Sequence, residues 1–153
     1  MADNPQILPC LMIPMQDRQL LLPNVSVAEI VDYASPEQAP GDPDWLMGML
    51  EWRGLRLPVI SYDAANGGDA VSPSAQRGRI AVLNTIGEHH GKLPFLALAT
   101  QGIPSQARLE ESQVKETEGE IGPADLMVVD VEGNSAVIPN LEYLESLALQ
   151  ALA

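Results

Sequence analysis

This chain of 153 residues has few of the side chains that enzymes and metal sites use. It contains one cysteine, Cys10, and two histidines, His89 and His90, which follow each other directly. A lone cysteine excludes an internal disulfide, and a structural zinc site would need more cysteine or histidine ligands than the chain has. Neighbouring residues on a strand point to opposite faces, so the two histidines would not easily share one metal ion. The sequence therefore predicts neither a metal nor a cofactor.

Motifs for nucleotide binding and catalysis are also missing. The chain has no G-x-x-x-x-G-K-[ST] or G-x-G-x-x-G loop, and no serine lies in a G-x-S-x-G turn. The glutamates of 110–120 lack the ordered D-x-D-x-D-G spacing of a calcium loop. Both histidines fall in one predicted loop, which leaves a Ser-His-Asp site little support. We therefore predict that the chain is not an enzyme.

Positive charge is scarce: eight lysines and arginines face 21 aspartates and glutamates, for a net charge of −13 at pH 7. Nucleic acids and anionic lipids are bound through cationic surfaces, so neither is an expected partner. No apolar run is long enough to insert across a bilayer, and the N-terminus lacks the basic and apolar regions of a signal peptide. We expect a cytoplasmic protein. Its acidity favours partners with basic surfaces, although acidic surfaces are also common among cytosolic proteins.

Proline and glycine, in contrast, are abundant, with thirteen and twelve copies that separate short apolar runs. This pattern is typical of an all-β protein with tight turns. It predicts strands, paired as hairpins, at 11–15, 19–22, 46–52, 55–62, 80–86, 93–100, 126–131 and 135–138. Short helices are predicted at 24–31, where Asn24 would cap the first turn, and at 140–152, capped by Asn140. The acidic segment 110–120 is predicted to be a solvated loop.

The segment 63–79 carries almost no large apolar side chain and is the best candidate for an internal boundary. The chain on either side of it has a similar outline of hairpin, proline-marked bend and second hairpin. We therefore predict two small β-barrels packed together, barrel one at about 18–62 and barrel two at about 80–139 with the N-terminal strand. A linker at 63–79 would join them, and a helix at 140–152 would end the chain.

One hairpin carries the strongest candidate for a functional residue. Arg53 is one of the few cations and lies at the tip between the strands 46–52 and 55–62, where Gly54 would supply the left-handed backbone of the turn. An arginine at this place is either simply solvated or binds a partner. Gly48 lies inside the first strand, which indicates a bulge or a close backbone approach.

Trp45 and Trp52, the only tryptophans, flank Gly48. Both suit core packing, and a tryptophan beside an arginine at a surface also matches the composition of an interface hot spot. We therefore include both among the candidate partner-binding residues.

The same hairpin resembles the core signature of CheW-like domains, through the run Pro40-Gly41-x-Pro43-x-x-Leu46-x-Gly48-x-x-x-x-Arg53-Gly54-x-x-Leu57-Pro58-Val59-Ile60. The preceding Val27-Ala28-Glu29-Ile30 is similar to the family's valine-x-glutamate-isoleucine element at the same offset. The resemblance covers about residues 8–145. It implies a single CheW-like domain built as two SH3-like five-stranded β-barrels.

The resemblance also implies a function and a set of contact residues. CheW-like proteins are non-catalytic adaptors that couple chemoreceptors to a CheA-type histidine kinase in chemosensory arrays. The partners implied are the regulatory domain of that kinase and the cytoplasmic tip of a methyl-accepting chemoreceptor. Arg53 corresponds to the family's functionally important arginine, and Gly48 and Gly54 to its glycines. Val27 and Glu29 fall in the element implicated in receptor or kinase contact.

Some positions depart from the family pattern. Glu51-Trp52 replaces the usual polar-leucine pair before the arginine, and Ser61-Tyr62 replaces the usual aspartate-leucine after the second strand. The region 96–120 matches poorly. This short, divergent form resembles the auxiliary CheW-like proteins of pilus-linked chemosensory systems, the ChpC type. An SH3-like interaction or assembly module outside chemosensing is the alternative.

Overall fold

The computed structural model describes residues 7–16, 18–34, 36, 40–70, 73–74, 76–85 and 93–152. In chain order the elements are β1 (Ile7–Pro14), β2 (Gln19–Pro23), β3 (Val27–Asp32), β4 (Leu46–Trp52), β5 (Leu55–Ile60), α1 (Tyr62–Ala65), β6 (Arg79–Asn84), β7 (Phe95–Thr100), β8 (Ser105–Glu110), β9 (Val114–Thr117), β10 (Asp125–Val131), β11 (Asn134–Pro139) and α2 (Leu141–Leu152). A five-stranded sheet has the order β3-β6-β7-β5-β4, and a six-stranded sheet has the order β8-β1-β2-β11-β10-β9. The prediction of a mostly β chain with two β units and short helices is confirmed.

The four predicted hairpins are present as the antiparallel pairs β1–β2, β4–β5, β6–β7 and β10–β11. Two parallel pairings, of β5 with β7 and of β11 with β2, join them into sheets. The predicted loop that holds His89 and His90 lies outside the described residues.

The central strands are buried on both faces, because alternate residues enter different cores. In β6, Ile80 and Val82 lie in a core made by the five-stranded sheet alone, whereas Ala81 and Leu83 lie in a core shared by both sheets. β1 alternates in the same way between this shared core and a core made by the six-stranded sheet alone. Such double burial explains why these strands are continuous apolar runs without a polar face.

Two of the clusters are each formed by a single sheet, and we call them the five-strand core and the six-strand core. The five-strand core contains Trp52, Leu57, Val59, Ile80, Val82, Ala97 and Ala99, and the six-strand core contains Cys10, Met12, Leu21, Leu109, Val129, Val131 and Ala136. Since each is built by one sheet, each sheet bends around its own interior while it packs on the shared core.

Helix α2 covers part of the shared core. Asn140 caps it as predicted, because its Oδ1 accepts a hydrogen bond from the backbone N–H of Tyr143 at 3.2 Å. Leu144, Leu147 and Ala148 are buried in the shared core at the expected helical spacing. Within the described part of the chain, no helix has the length and apolar character needed to cross a membrane.

The predicted helix at 24–31 is wrong. Only Asn24–Ser26 forms a 3₁₀ turn, without a side-chain cap, and the chain then continues as β3. The apolar residues of this segment suit a strand as well as a helix, since half of the residues of β3 are β-branched. The ladder of hydrogen bonds offered by β6 decides in favour of the strand.

The predicted solvated loop at 110–120 is also wrong. A 3₁₀ turn at Glu111–Gln113 connects β8 to β9, and these are the two edge strands of the six-stranded sheet. Edge strands commonly carry charged side chains, which protect them from pairing with other chains. The run of glutamates is therefore why the sequence predicts a loop where β9 lies. Val114 of β9 packs against the six-strand core.

The strands do not divide between the sheets as the predicted barrels require. β2 falls within 18–62 but belongs to the six-stranded sheet, whereas β7 and all of β6 after Arg79 fall within 80–139 but belong to the five-stranded sheet. The N-terminal strand β1 does join the sheet of β10 and β11, as expected. The parallel pairings link strands that are far apart in sequence, and no local pattern marks such pairings.

A buried polar network joins the two halves beside the shared core. Asp125, at the start of β10, is buried, and its carboxylate pairs with the guanidinium of Arg18. The same carboxylate accepts a hydrogen bond from Asn66 Nδ2 at 2.9 Å. The hydroxyl of Tyr62 lies 2.5 Å from Asp125 Oδ1 and 2.8 Å from the carbonyl oxygen of Ala124.

Tyr62 follows β5 of the five-stranded sheet, so this network ties that sheet to β10 of the other. Burial raises the pKa of Tyr62 above its ordinary value, and the hydrogen bond to Asp125 raises it further. Tyr62 is one of the positions where the chain departs from the family pattern, and the departure provides the hydroxyl for this junction.

Candidate functional site

Arg53 lies at the tip of the β4–β5 hairpin, as the sequence predicts. Both turn residues have a left-handed backbone, with φ of 50° at Arg53 and 77° at Gly54. Two successive positive φ values are typical of the type I′ turn, whose twist matches that of the two strands. A Cβ added to Gly54 would have no other atom within 4 Å, so the backbone conformation is what favours glycine.

The carboxylate of Glu29 connects this hairpin to β3. Its Oε1 accepts hydrogen bonds from Arg53 Nη2 at 2.9 Å and from Trp52 Nε1 at 3.1 Å. Because β3 and β4 are the opposite edges of the five-stranded sheet, the sheet curls until its edges meet at these side chains. Three predicted site residues thus come together, and we call Glu29, Trp52 and Arg53 the Arg53 cluster.

The indole of Trp52 fixes the position of this cluster. Arg53 Cζ lies 4.7 Å from the centroid of the indole, within the range of cation–π attraction. Phe95 contacts the same indole edge-on, with centroids 4.9 Å apart and an interplanar angle of 66°. Trp52 itself is only 8% exposed. It therefore serves as a rigid support from the five-strand core and not as an exposed contact.

The charged groups of the cluster face solvent. The side chain of Arg53 is 68% exposed and that of Glu29 is 39% exposed. An ion pair this exposed contributes about 0.2–1 kcal/mol to stability. Its main effect is therefore to orient Arg53. A guanidinium has five N–H donors, so most of those on Arg53 stay available to a partner.

Both edge strands of the five-stranded sheet carry a shift in register. The register of β4 shifts between Leu46 and Gly48, where Gly48 has φ of 141°, and the predicted bulge at this glycine is confirmed. The register of β3 shifts between Val27 and Glu29. A bulge bends its strand and increases the local twist. The shift in β3 lies next to Glu29, whereas the shift in β4 lies at the end of the strand opposite to the hairpin tip.

Val27 and Trp45 lie outside the Arg53 cluster. Both are half-buried and pack against the shared core. The carbonyl oxygen of Trp45 also accepts a hydrogen bond from the backbone N–H of Ser61 at 2.8 Å. The two tryptophans therefore support different cores, and the role of Val27 and Trp45 in partner contact stays a prediction.

Two parts of the site were not predicted: the edge contact of Phe95 and the bond between the indole and Glu29. A signal for the second was present, since tryptophan stands where the family usually has leucine. A leucine has no N–H to offer the carboxylate, whereas the indole can donate to it. The unusual residue therefore adds a hydrogen bond to the orientation of the arginine.

Comparisons with known proteins agree with this fold. A family model described as the CheW-like domain matches residues 9–147. The structure is similar to the crystal structure of the scaffolding protein TtCheW from Thermoanaerobacter tengcongensis, with a TM-score of 0.73 and 17% identity over 92% of this chain and 89% of that chain. At this identity the similarity shows the fold alone. Among curated proteins, none matches this sequence.

Proposed function

This chain belongs to the family of CheW-like domains, and we propose that it acts as a non-catalytic adaptor between chemoreceptors and a CheA-type histidine kinase. Its partners would be the regulatory domain of the kinase and the cytoplasmic tip of a methyl-accepting receptor. One domain, at about residues 8–145, would carry both contact surfaces. The proposed place of action is the cytoplasm, where these two partners meet.

The exposed and oriented Arg53 is the observation that carries this proposal. The Arg53 cluster consists of a guanidinium, one carboxylate and a buried indole, without a hydroxyl, thiol or imidazole that could act as a nucleophile or base. A planar guanidinium can bind a carboxylate or backbone carbonyls of a partner through two hydrogen bonds at once. Such an arrangement favours recognition over bond breaking.

The remaining predicted residues would act around this cation. We propose that Val27, which precedes Glu29 on β3, and Trp45 contribute apolar contact from their half-exposed side chains. Gly48 and Gly54 would act through the backbone, because their positive φ values shape the strand and the turn that present Arg53.

Assembly of three components tests the adaptor role. The chain is mixed with a receptor-tip fragment and the regulatory domain of a CheA-type kinase from the same source, and the complexes are separated by size-exclusion chromatography with light scattering. We expect receptor and kinase fragments to elute together only when the chain is present. If the chain binds neither fragment, the adaptor proposal fails and an interaction module outside chemosensing replaces it.

We also propose that the adaptor serves a pilus-linked chemosensory system. The support is the divergent sequence at Glu51-Trp52 and Ser61-Tyr62, in which Trp52 and Tyr62 make contacts through a side-chain N–H and a hydroxyl. Deletion of the gene should reduce pilus-dependent surface motility, and the wild-type gene should restore it. Unchanged surface motility in the deletion strain would contradict this assignment.

A further inference from the structure

The two sheets contain hairpins with the same turn but different side chains. Glu132-Gly133, between β10 and β11, has φ of 49° and 90°, close to the values at Arg53-Gly54. The residue before the turn is Trp52 in the β4–β5 hairpin and Val131 in the β10–β11 hairpin. Trp52 is buried in the five-strand core and Val131 in the six-strand core. The six-stranded sheet therefore has a small side chain where the five-stranded sheet has an indole.

The five-strand core and the six-strand core also differ in their aromatic content. Tyr33 and Phe95 pack with Trp52 in the five-strand core. The described residues of the six-strand core are aliphatic side chains, methionines and Cys10. A cleft of about 1050 Å³ opens into the six-strand core, lined by Leu8, Leu21, Leu109, Ile138 and their neighbours. Its volume slightly exceeds the range typical of ligand pockets, about 300–1,000 Å³.

The rim of this cleft is acidic. Glu110 and Glu111 line it, and Gln113 of the same 3₁₀ turn donates a hydrogen bond at 2.6 Å to Glu132. Glu111 is exposed and forms no ion pair with any residue of the described ranges.

The nearest cations along the chain do not neutralise this rim. Arg108 and Lys115 are not among the residues that line the cleft, and within the described ranges neither forms an ion pair with Glu110 or Glu111. The opening is thus an apolar cleft with two carboxylates at its edge; that of Glu110 accepts the backbone N–H of Gln113, and that of Glu111 is exposed.

We propose that this cleft binds one large apolar side chain of a protein partner, tryptophan or leucine, flanked by lysine or arginine. The partner's side chain would lie in the six-strand core as Trp52 lies in the five-strand core. Its basic neighbours would approach Glu110 and Glu111 as Arg53 approaches Glu29. Met12 and Met127 pack in the same core, although they do not line the cleft, and flexible methionine side chains adapt readily when a group is inserted nearby.

The inference deepens the proposed function and rests on it only in taking the occupant to be a protein. It gives the adaptor a second docking surface, on the sheet opposite to the Arg53 cluster. The occupant follows from charge, because an apolar segment with acidic flanks would be repelled by the rim and by the net charge of −13.

A titration followed by two-dimensional ¹⁵N–¹H NMR on the full chain tests the proposal. Three capped peptides are used at millimolar concentration: Gly-Lys-Trp-Arg-Gly, its acidic counterpart Gly-Glu-Trp-Glu-Gly, and Gly-Lys-Ala-Arg-Gly. We expect saturable shifts for the first peptide at amides around the cleft, including those of Leu8, Leu21, Leu109 and Val114. The acidic peptide and the alanine peptide should bind at least fivefold more weakly.

Two variants and one control locate the binding. Leu8→Asp places a charge at the half-exposed mouth of the cleft, and Glu111→Lys reverses a rim charge at an exposed position. Each should weaken binding of the first peptide at least fivefold. Arg56→Glu changes an exposed side chain on the other sheet and should leave binding unchanged. If Leu8→Asp does not fold, Glu111→Lys alone decides.

Several outcomes would overturn the proposal. They are the absence of shifts at the cleft, equal binding of the basic and acidic peptides, or cleft shifts that follow the protein's own concentration, which would make a second copy the occupant. The outcome of the three-component assembly experiment does not depend on whether the peptides bind to the cleft, so the two proposals can be tested separately. Peptide binding without assembly would reject the adaptor role alone, and assembly without peptide binding would reject the cleft alone.

Discussion

Glu29 decides how Arg53 is presented. One carboxylate oxygen holds donors from two neighbouring residues, so the exposed guanidinium is tied to a buried indole. A long side chain that is already partly ordered loses less conformational entropy when it binds. The cluster would therefore prepare Arg53 for the proposed partner, while Trp52 packs in the five-strand core.

The variants Trp52→Ala and Arg53→Ala should separate these two roles. Removal of a buried tryptophan costs about 3–5 kcal/mol, because the lost contacts leave a cavity. Loss of the exposed Arg53 should cost less than about 1 kcal/mol. Urea unfolding of the two variants and the wild type measures both costs. Comparable losses would show that Arg53 is a structural residue.

At the scale of elements, the hairpin turns depend on backbone conformation. Gly54 and Gly133 have φ of 77° and 90°, and a Cβ at either would have no other atom within 4 Å. A steric clash with neighbours therefore plays no part in their preference for glycine. What matters is how well the replacing residue tolerates a left-handed conformation.

We predict that Gly54→Val destabilises the protein by about 1 kcal/mol or more, since a β-branched residue is strained at positive φ. Gly133→Val should show a similar loss. Gly54→Asn is the matched control and should cost less, because asparagine adopts this conformation more readily. Thermal melts of the three variants check the order. A valine variant with the melting temperature of the wild type would contradict the assigned turn.

Elements with a local signal could be predicted, whereas those created by distant pairing could not. The Arg53-Gly54 turn, the bulge at Gly48 and the Asn140 cap all follow from short patterns of residues. β3 has the spacing of a helix as well as that of a strand, and only its ladder with β6 decides. The same holds for the site: Arg53 was visible in the sequence, but its bonds to a residue on another edge strand were not.

At the scale of the whole molecule, the two sheets are joined through the shared core and the network around Asp125. The core takes apolar residues from both sheets and from α2. The network adds charged and polar groups from segments that flank the sheets, including Arg18 and Tyr62. These contacts connect the sheet that carries the Arg53 cluster to the sheet that carries the proposed cleft.

The network should contribute measurably to stability. Asp125→Ala leaves Arg18, Tyr62 and Asn66 without their common acceptor. Loss of one partner of a buried ion pair costs about 3–5 kcal/mol, and the low end is expected because the Arg18 side chain is 30% exposed. Asp44→Ala, at an exposed aspartate, should change stability by less than about 0.5 kcal/mol. Urea unfolding compares the two, and equal effects would contradict the role of the network.

Tyr62 should make the protein sensitive to alkaline pH. Its pKa is raised above the ordinary value of 10.0 by burial and by Asp125. Above about pH 10 the hydroxyl of Tyr62 loses its proton in the unfolded chain but keeps it in the folded chain. The free energy of unfolding therefore falls as the pH rises. Tyr62→Phe removes this contribution and should flatten the decline. Urea unfolding between about pH 8 and 11 measures both slopes, and identical slopes would contradict the assignment.

The most direct test of the adaptor account compares Arg53→Glu with Arg56→Glu, two charge reversals at exposed arginines of one hairpin. Each variant is melted and then titrated by calorimetry with the kinase regulatory domain and with the receptor tip. The account predicts melting temperatures close to that of the wild type for both, and a loss of affinity of at least tenfold with one or both partners for Arg53→Glu alone. Unchanged binding of Arg53→Glu, or an equal loss in both variants, would contradict it.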